Sequence, residues 1–286
     1  MANSPLAGAV EKFSAITHAY TDQDLERKWT WGAYDEGVRF AFFRTYEELR
    51  ELAAHLAAER SASGAQLTTA QHILAQYHVA YLDLQAVLIG LSDEQALQEP
   101  AEEQWPLAQV VHHIVQAEKA FYAVNHYAVE RLRTAEDRPV EMSDETWQEY
   151  WVSDDFEALK DSQSLSKIMA YYDGLHRRVI SDFASITGTE LDSPSVFWES
   201  EPMPVEFRLH RFDSHLRQHT IQAEKTLEML ALQPNEAKRL LRLIYNALAE
   251  VEAAAMGAPD FGLQHRQALA ETIANRADEI EVLVKG

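Results

Sequence analysis

Two histidines four residues apart, His215 and His219, stand inside the apolar stripe of LHRFDSHLRQHTIQAEKTLEML, residues 209–230. Leu209, Phe212, Leu216, Ala223, Leu227 and Leu230 recur at three- and four-residue steps, which predicts one helix with a buried face. At about 100° per residue the two imidazoles sit one above the other on that face. Such a pair can grip one cation, or can be two core histidines satisfied by hydrogen bonds; the spacing leaves both readings open. His210 lies about 180° around the helix from His219 and faces away.

A third imidazole decides what chemistry is within reach. In WPLAQVVHHIVQAEKAFYAVNHYAVERLR, residues 105–133, the stripe is Leu107, Val110, Ile114, Ala117, Phe121, Val124, Ala128 and Leu132. Pro106 suits the first helical position. His113 lies within about 60° of the stripe, whereas His112 and His126 lie well off it, and His112 reads as solvated. Facing helices of a bundle build metal sites from such inward residues. Three neutral imidazoles around one divalent cation leave a position open for water or substrate, as in a catalytic site. His176 also lies close to the stripe of its own helix, four after Tyr172, and competes as a ligand or proton shuttle. Asp173 and Glu118 are weighed as outer orienting groups but read better as surface charges.

The elements that must position these residues are helical. In 286 residues there are only 10 Gly and 9 Pro, with apolar residues at 47%, and no stretch shows the alternating runs of a sheet. Residues 1–34 read as an irregular strap whose Trp29, Trp31 and Tyr34 plug into the bundle. A helix is expected from about 35 to 60, with Phe42, Tyr46, Leu49, Ala53 and Leu56 inward. Four consecutive helices then follow, at about 68–90, 105–133, 163–187 and 205–231. A long acidic link at 134–162 and a polar one at 188–204 interrupt them. A link of the first length implies a crossover or a flap, and Trp147, Tyr150 and Trp151 suggest that it packs down. After Pro234 the pattern is a helical hairpin turning at GAPDFG, residues 257–262. The expected division is a strap and helix (1–65), a four-helix bundle (66–232) and a C-terminal hairpin packed on it (233–286).

Charge narrows the partners. The formal net charge is −21, so nucleic acid and anionic membrane surfaces are disfavoured. There is no cysteine, so disulfides, thiolate ligands and a cysteine nucleophile are excluded. No basic-then-apolar leader and no apolar run of ~18–20 residues is found, so a cytoplasmic protein is expected.

Trp105 followed by His113 in WPLAQVVHHIVQAE, then His215-x-x-x-His219 and an apolar helix, resembles the DinB-like (damage-inducible) superfamily. The resemblance covers about residues 66–232. It implies an all-α fold: a four-helix bundle with a three-histidine metal site, here carrying an extra N-terminal helix and a C-terminal helical hairpin. It also implies His113, His215 and His219 as metal ligands, and a relation to thiol-dependent S-transferases and maleylpyruvate isomerases. The expected function is therefore transfer of a small-molecule thiol to an electrophile at a His-bound divalent ion. The alternatives are a metal-dependent hydrolase and a non-catalytic metal-binding bundle that binds a protein partner. Imidazole suits zinc, nickel, iron and copper alike, and zinc, nickel or iron is expected. No H-E-x-x-H arrangement supplies a base for hydrolysis.

The appended hairpin predicts a homodimer, since apolar hairpins added to bundles are often buried between subunits. Analytical sedimentation should give a mass above that of the monomer. A value of 32.5 kDa at every concentration would reject the dimer.

Overall fold

Periodic apolar residues, capped where the period stops, account for nearly every element of the computed structural model. It describes residues 4–134, 137–151, 156, 159, 164–199 and 201–286. Helix α1, Pro5–Thr17, starts where Ser4 accepts a hydrogen bond from the Ala7 amide with Pro5 in the first turn. It buries Leu6, Ala9, Val10, Phe13 and Thr17. The expectation of an irregular segment over residues 1–34 is thus corrected: this is a regular helical stripe preceded by a cap. A capping box of Thr21 and Asp24 opens the short α2, Asp22–Leu25. Of the three aromatics expected to plug into the bundle, Trp29 is buried, whereas Trp31 and Tyr34 are exposed. Trp31 and Tyr34 form an isolated antiparallel bridge, and Tyr34 stacks on Phe40 at 4.7 Å.

Helix α3 runs Val38–Ala62. It begins three residues later than expected, because Gly37 has φ +77° and a Cβ there would lie 2.9 Å from the Arg27 carbonyl oxygen. Next come α4 (Thr69–Val87), α5 (Asp93–Ala96), α6 (Leu107–Thr134), α7 (Asp144–Trp151), α8 (Leu165–Phe183) and α9 (Gly188–Leu191). Strand β1, Pro194–Ser195, pairs antiparallel with β2, Met203–Pro204. The chain ends with α10 (Val205–Met229), α11 (Glu236–Ala254) and α12 (Leu263–Lys285). The fold is all-α; the β1–β2 ladder is a clip inside the second expected link. Part of the first expected link, 135–136, 152–155, 157–158 and 160–162, lies outside the described residues, as does residue 163, the expected start of the next helix. No described helix is long and apolar enough to cross a membrane.

The chain divides into two units. One comprises residues 1–66, 81–90 and 233–286. In it α11 packs along α3 and α1 along α12. Arg276, buried, donates to Thr45 Oγ1 at 2.8 Å and lies 2.8 Å from Glu48. The other comprises residues 67–80 and 91–232. There α6 packs along α10 and against α8, and Tyr77 of α4 meets Phe212 of α10 at 5.2 Å. This is the expected four-helix bundle, its core filled by Phe121, Phe183 and Phe212.

A polar cluster lies inside that bundle. Glu118 is fully buried, which corrects its reading as a surface charge. Its carboxyl accepts hydrogen bonds from the hydroxyls of Tyr77 and Tyr172, the latter at 2.6 Å. Beside it the ring nitrogens of His78 and His176 lie 2.9 Å apart, both buried. Burial raises the Glu118 pKa to about 8, against the pull of the two tyrosine hydroxyls. A folded-state pKa above the ordinary value makes the folded protein hold this proton more tightly than the unfolded chain. Its stabilising effect is complete below about pH 4.5 and is lost as pH rises through about 8. Urea unfolding of Glu118→Gln should therefore lack a fall, on the order of a few kcal/mol, that the parent shows from about pH 5 to 8.5. Parallel pH profiles for the two proteins would reject a buried, protonated Glu118.

Candidate metal centre

Two helices supply the site. Helix α10 carries His215 and His219 on the face that also buries Leu209, Phe212, Leu216 and Ala223. Helix α6 carries His113 one residue before the buried Ile114. Because α6 and α10 pack along each other, three rings meet. Centroid separations are 4.4 Å for His215–His219, 4.6 Å for His113–His219 and 5.3 Å for His113–His215. One nitrogen of each ring lies within 4.8 Å of the others. Nitrogens bound to one tetrahedral zinc sit about 3.4 Å apart, so small ring rotations close the set. This is the one group of three or more His, Asp or Glu so placed among the described residues, and it can hold a metal ion.

The donor chemistry fits a cation. His219 Nδ1 lies 2.7 Å from Gln222 Oε1. That oxygen only accepts, so the proton sits on Nδ1 and the Nε2 lone pair is free. His215 Nδ1 is buried with no hydrogen-bond partner among the described residues. An orphaned nitrogen beside two further imidazoles is a position that a cation satisfies. Burial, then the neighbouring His219 and His113, push the His215 pKa down to about 3. Burial, then His219 and His112, also lower that of His113. Both rings are therefore neutral at pH 7, the state in which imidazole is a ligand. Sequence alone predicts that metal binding weakens below about pH 6. With these two pKa values depressed, proton competition at His113 and His215 begins at lower pH than that.

Aromatic rings enclose the cluster. Trp105 meets His113 edge-on at 5.4 Å, and Phe121 stands perpendicular to His215 at 5.5 Å. Phe121 in turn touches Phe197 and Trp198, and the Arg211 guanidinium lies over its ring at 5.9 Å. Arg211 is the cation that acts on His215.

The other candidates fall outside. His210 is exposed, as its angle requires. His176 pairs with His78 rather than with the three. Asp173 meets Arg177 at 2.7 Å on the surface. His112 is half-buried and stacks on Phe156 at 4.6 Å, so its expected full solvation is corrected. Gln222 was not among the sequence candidates. Its signal is a carboxamide one helical turn beyond His219, on the same face.

Replacing His113, His215 or His219 with Ala should each remove most bound metal, read by elemental analysis after loading. Gln222→Leu should weaken binding about 10–100-fold. His210→Ala should leave both metal content and stability near the parent's. His112→Ala should keep metal but cost about 1 kcal/mol, from the lost stack on Phe156. Metal loss in His210→Ala with retention in His215→Ala would overturn the helix register.

No curated protein and no solved structure matches the chain. A family model described as the DinB superfamily matches residues 76–223, more than half of its length. That span carries all three histidines, the whole of α6 and α10 as far as residue 223. The helical bundle, the imidazole cluster and this match agree: the chain belongs to the DinB superfamily.

Proposed function

We propose that this protein is a metal-dependent enzyme that joins a small-molecule thiol to an electrophilic substrate. In this reading His113, His215 and His219 hold one divalent ion, zinc, nickel or iron. The observation that carries it is the convergence of three imidazoles, two of them with pKa values lowered by burial, with no fourth donor in the cluster among the described residues. Three protein ligands with a vacant position are the pattern of catalytic rather than structural sites. A divalent ion so held supplies Lewis acidity that lowers the pKa of a thiol and holds the thiolate ready for attack.

The chain's own residues fit the remaining tasks. With no cysteine in the sequence, the sulfur arrives with a cosubstrate. Gln222 fixes the His219 tautomer. Trp105 and Phe121 pack against His113 and His215 and fix the orientation of those two rings. Arg211 offers a positive charge for an acidic group on the thiol or its partner. Among the described residues no Asp or Glu joins the cluster to serve as a base for activating water, which favours thiol transfer over hydrolysis.

The test uses the metal-loaded protein with cysteine or glutathione and the chromogenic electrophile 1-chloro-2,4-dinitrobenzene. A thiol-dependent rate that falls on the order of 100-fold in His215→Ala supports the proposal. Thiol-independent cleavage of p-nitrophenyl acetate with the same dependence on His215 would replace it with hydrolysis. Metal binding without either activity would leave a non-catalytic bundle.

A further inference from the structure

The start of α7 and the β1–β2 loop border an open hollow of about 350 Å³. Its walls are the rings of Trp147, Phe197 and Trp198 with Met142 and Val196, and the charged lining residues among those described are Glu141 and Asp144. Trp147 stacks on Phe197 at 5.7 Å, and Phe197 meets Trp198 at 4.5 Å. Trp198 is thus held in place, yet it remains 65% exposed, the most exposed Trp, Phe or Tyr among the described residues. A fixed indole left in water beside a concave wall is a contact surface awaiting a ligand.

The electrostatics select which ligand. Aromatic faces carry the negative part of the ring quadrupole and attract cations. The exposed carboxylates of Glu141 and Asp144 line the hollow and make no ion pair among the described residues. The nearby guanidinium of Arg208 lies over Phe197 at 6.0 Å but is paired with Glu199 at 2.7 Å and donates to Ser195. An anion would meet two carboxylates and three ring faces. A compact organic cation would be attracted by both the carboxylates and the ring faces.

The hollow is also next to the metal centre. Phe121 touches Phe197 at 6.2 Å and Trp198 at 6.4 Å on one side, and His215 at 5.5 Å on the other. One ring separates it from the imidazoles.

We propose that this aromatic hollow binds an organic ammonium ion, and that the electrophile processed at the adjoining histidines carries that cationic group. The second clause rests on the reading of the histidines as a reaction centre; the binding clause does not.

The test titrates the purified full-length protein with three ligands of nearly the same shape. These are choline, its uncharged isostere 3,3-dimethylbutan-1-ol, and the anion 3,3-dimethylbutanoate. Binding is read by intrinsic tryptophan fluorescence and by ligand-observed NMR. Choline should bind saturably, the alcohol about ten-fold or more weakly, and the anion not at all. Trp198→Ala should weaken choline about ten-fold, and because Trp198 is exposed the change leaves the fold intact. Glu141→Gln combined with Asp144→Asn should weaken choline several-fold while metal content stays at the parent's value. His215→Ala should bind choline as the parent does. Equal affinity for choline and the alcohol, or unchanged choline binding in Trp198→Ala, would overturn the ammonium site. Loss of metal binding or of thiol chemistry with choline preference retained would strike the proposed function alone.

Discussion

Three imidazoles facing one another in a dry helical interior cannot all carry protons. Each charged ring would lose its hydration and repel the other two. The fold removes water from His215 and His219 and half-buries His113, and the depressed pKa values of His113 and His215 record that cost. A set of neutral, convergent lone pairs is the result. In the absence of an ion the arrangement is expensive, with one buried nitrogen unsatisfied. The stripe residues of α6 and α10 offset this by fixing which face of each helix meets the other. Slipping either helix by one residue would rotate its imidazoles by about 100° and disperse the set.

Register is held by more than apolar packing. Tyr77, Tyr172 and Glu118 tie α4 and α8 to α6 through buried hydrogen bonds, and His78 with His176 ties α4 to α8. Polar groups so enclosed must find their specific partners, so a shifted helix would leave several unsatisfied at once. The ladder of β1 and β2 plays a similar part at the start of α10. Ser195 donates to the Met203 carbonyl at 2.8 Å, and the buried Arg208 donates back to Ser195. The chain therefore enters α10 from a fixed point, three turns ahead of the two histidines.

The helical bundle and the cluster were legible because both depend on local spacing. An i,i+4 pair within a stripe puts His215 and His219 together, and the stripe of the second bundle helix selects His113 over His112. Long-range pairing was not legible. Nothing local shows that Glu118 will meet two tyrosines from other helices, or that His176 will find His78 instead of the other imidazoles. His112 looked solvated because angle alone does not reveal that Phe156 folds over it. The α1 helix was missed for another reason. The aromatic cluster farther along drew the reading toward a strap, although Ser4, Pro5 and the run Leu6, Val10, Phe13 already carried a cap and a helical period.

Membership in the DinB superfamily agrees with the helical bundle, and His113, His215 and His219 form a cluster that could hold a metal ion. The most direct measurement of that assignment is X-ray absorption at the zinc edge of the zinc-loaded protein. The account predicts three imidazole nitrogens at about 2.0–2.1 Å, with their outer-ring scattering, and one further light ligand from solvent. A shell of carboxylate oxygens with no imidazole scattering, or fewer than three nitrogens, would contradict it.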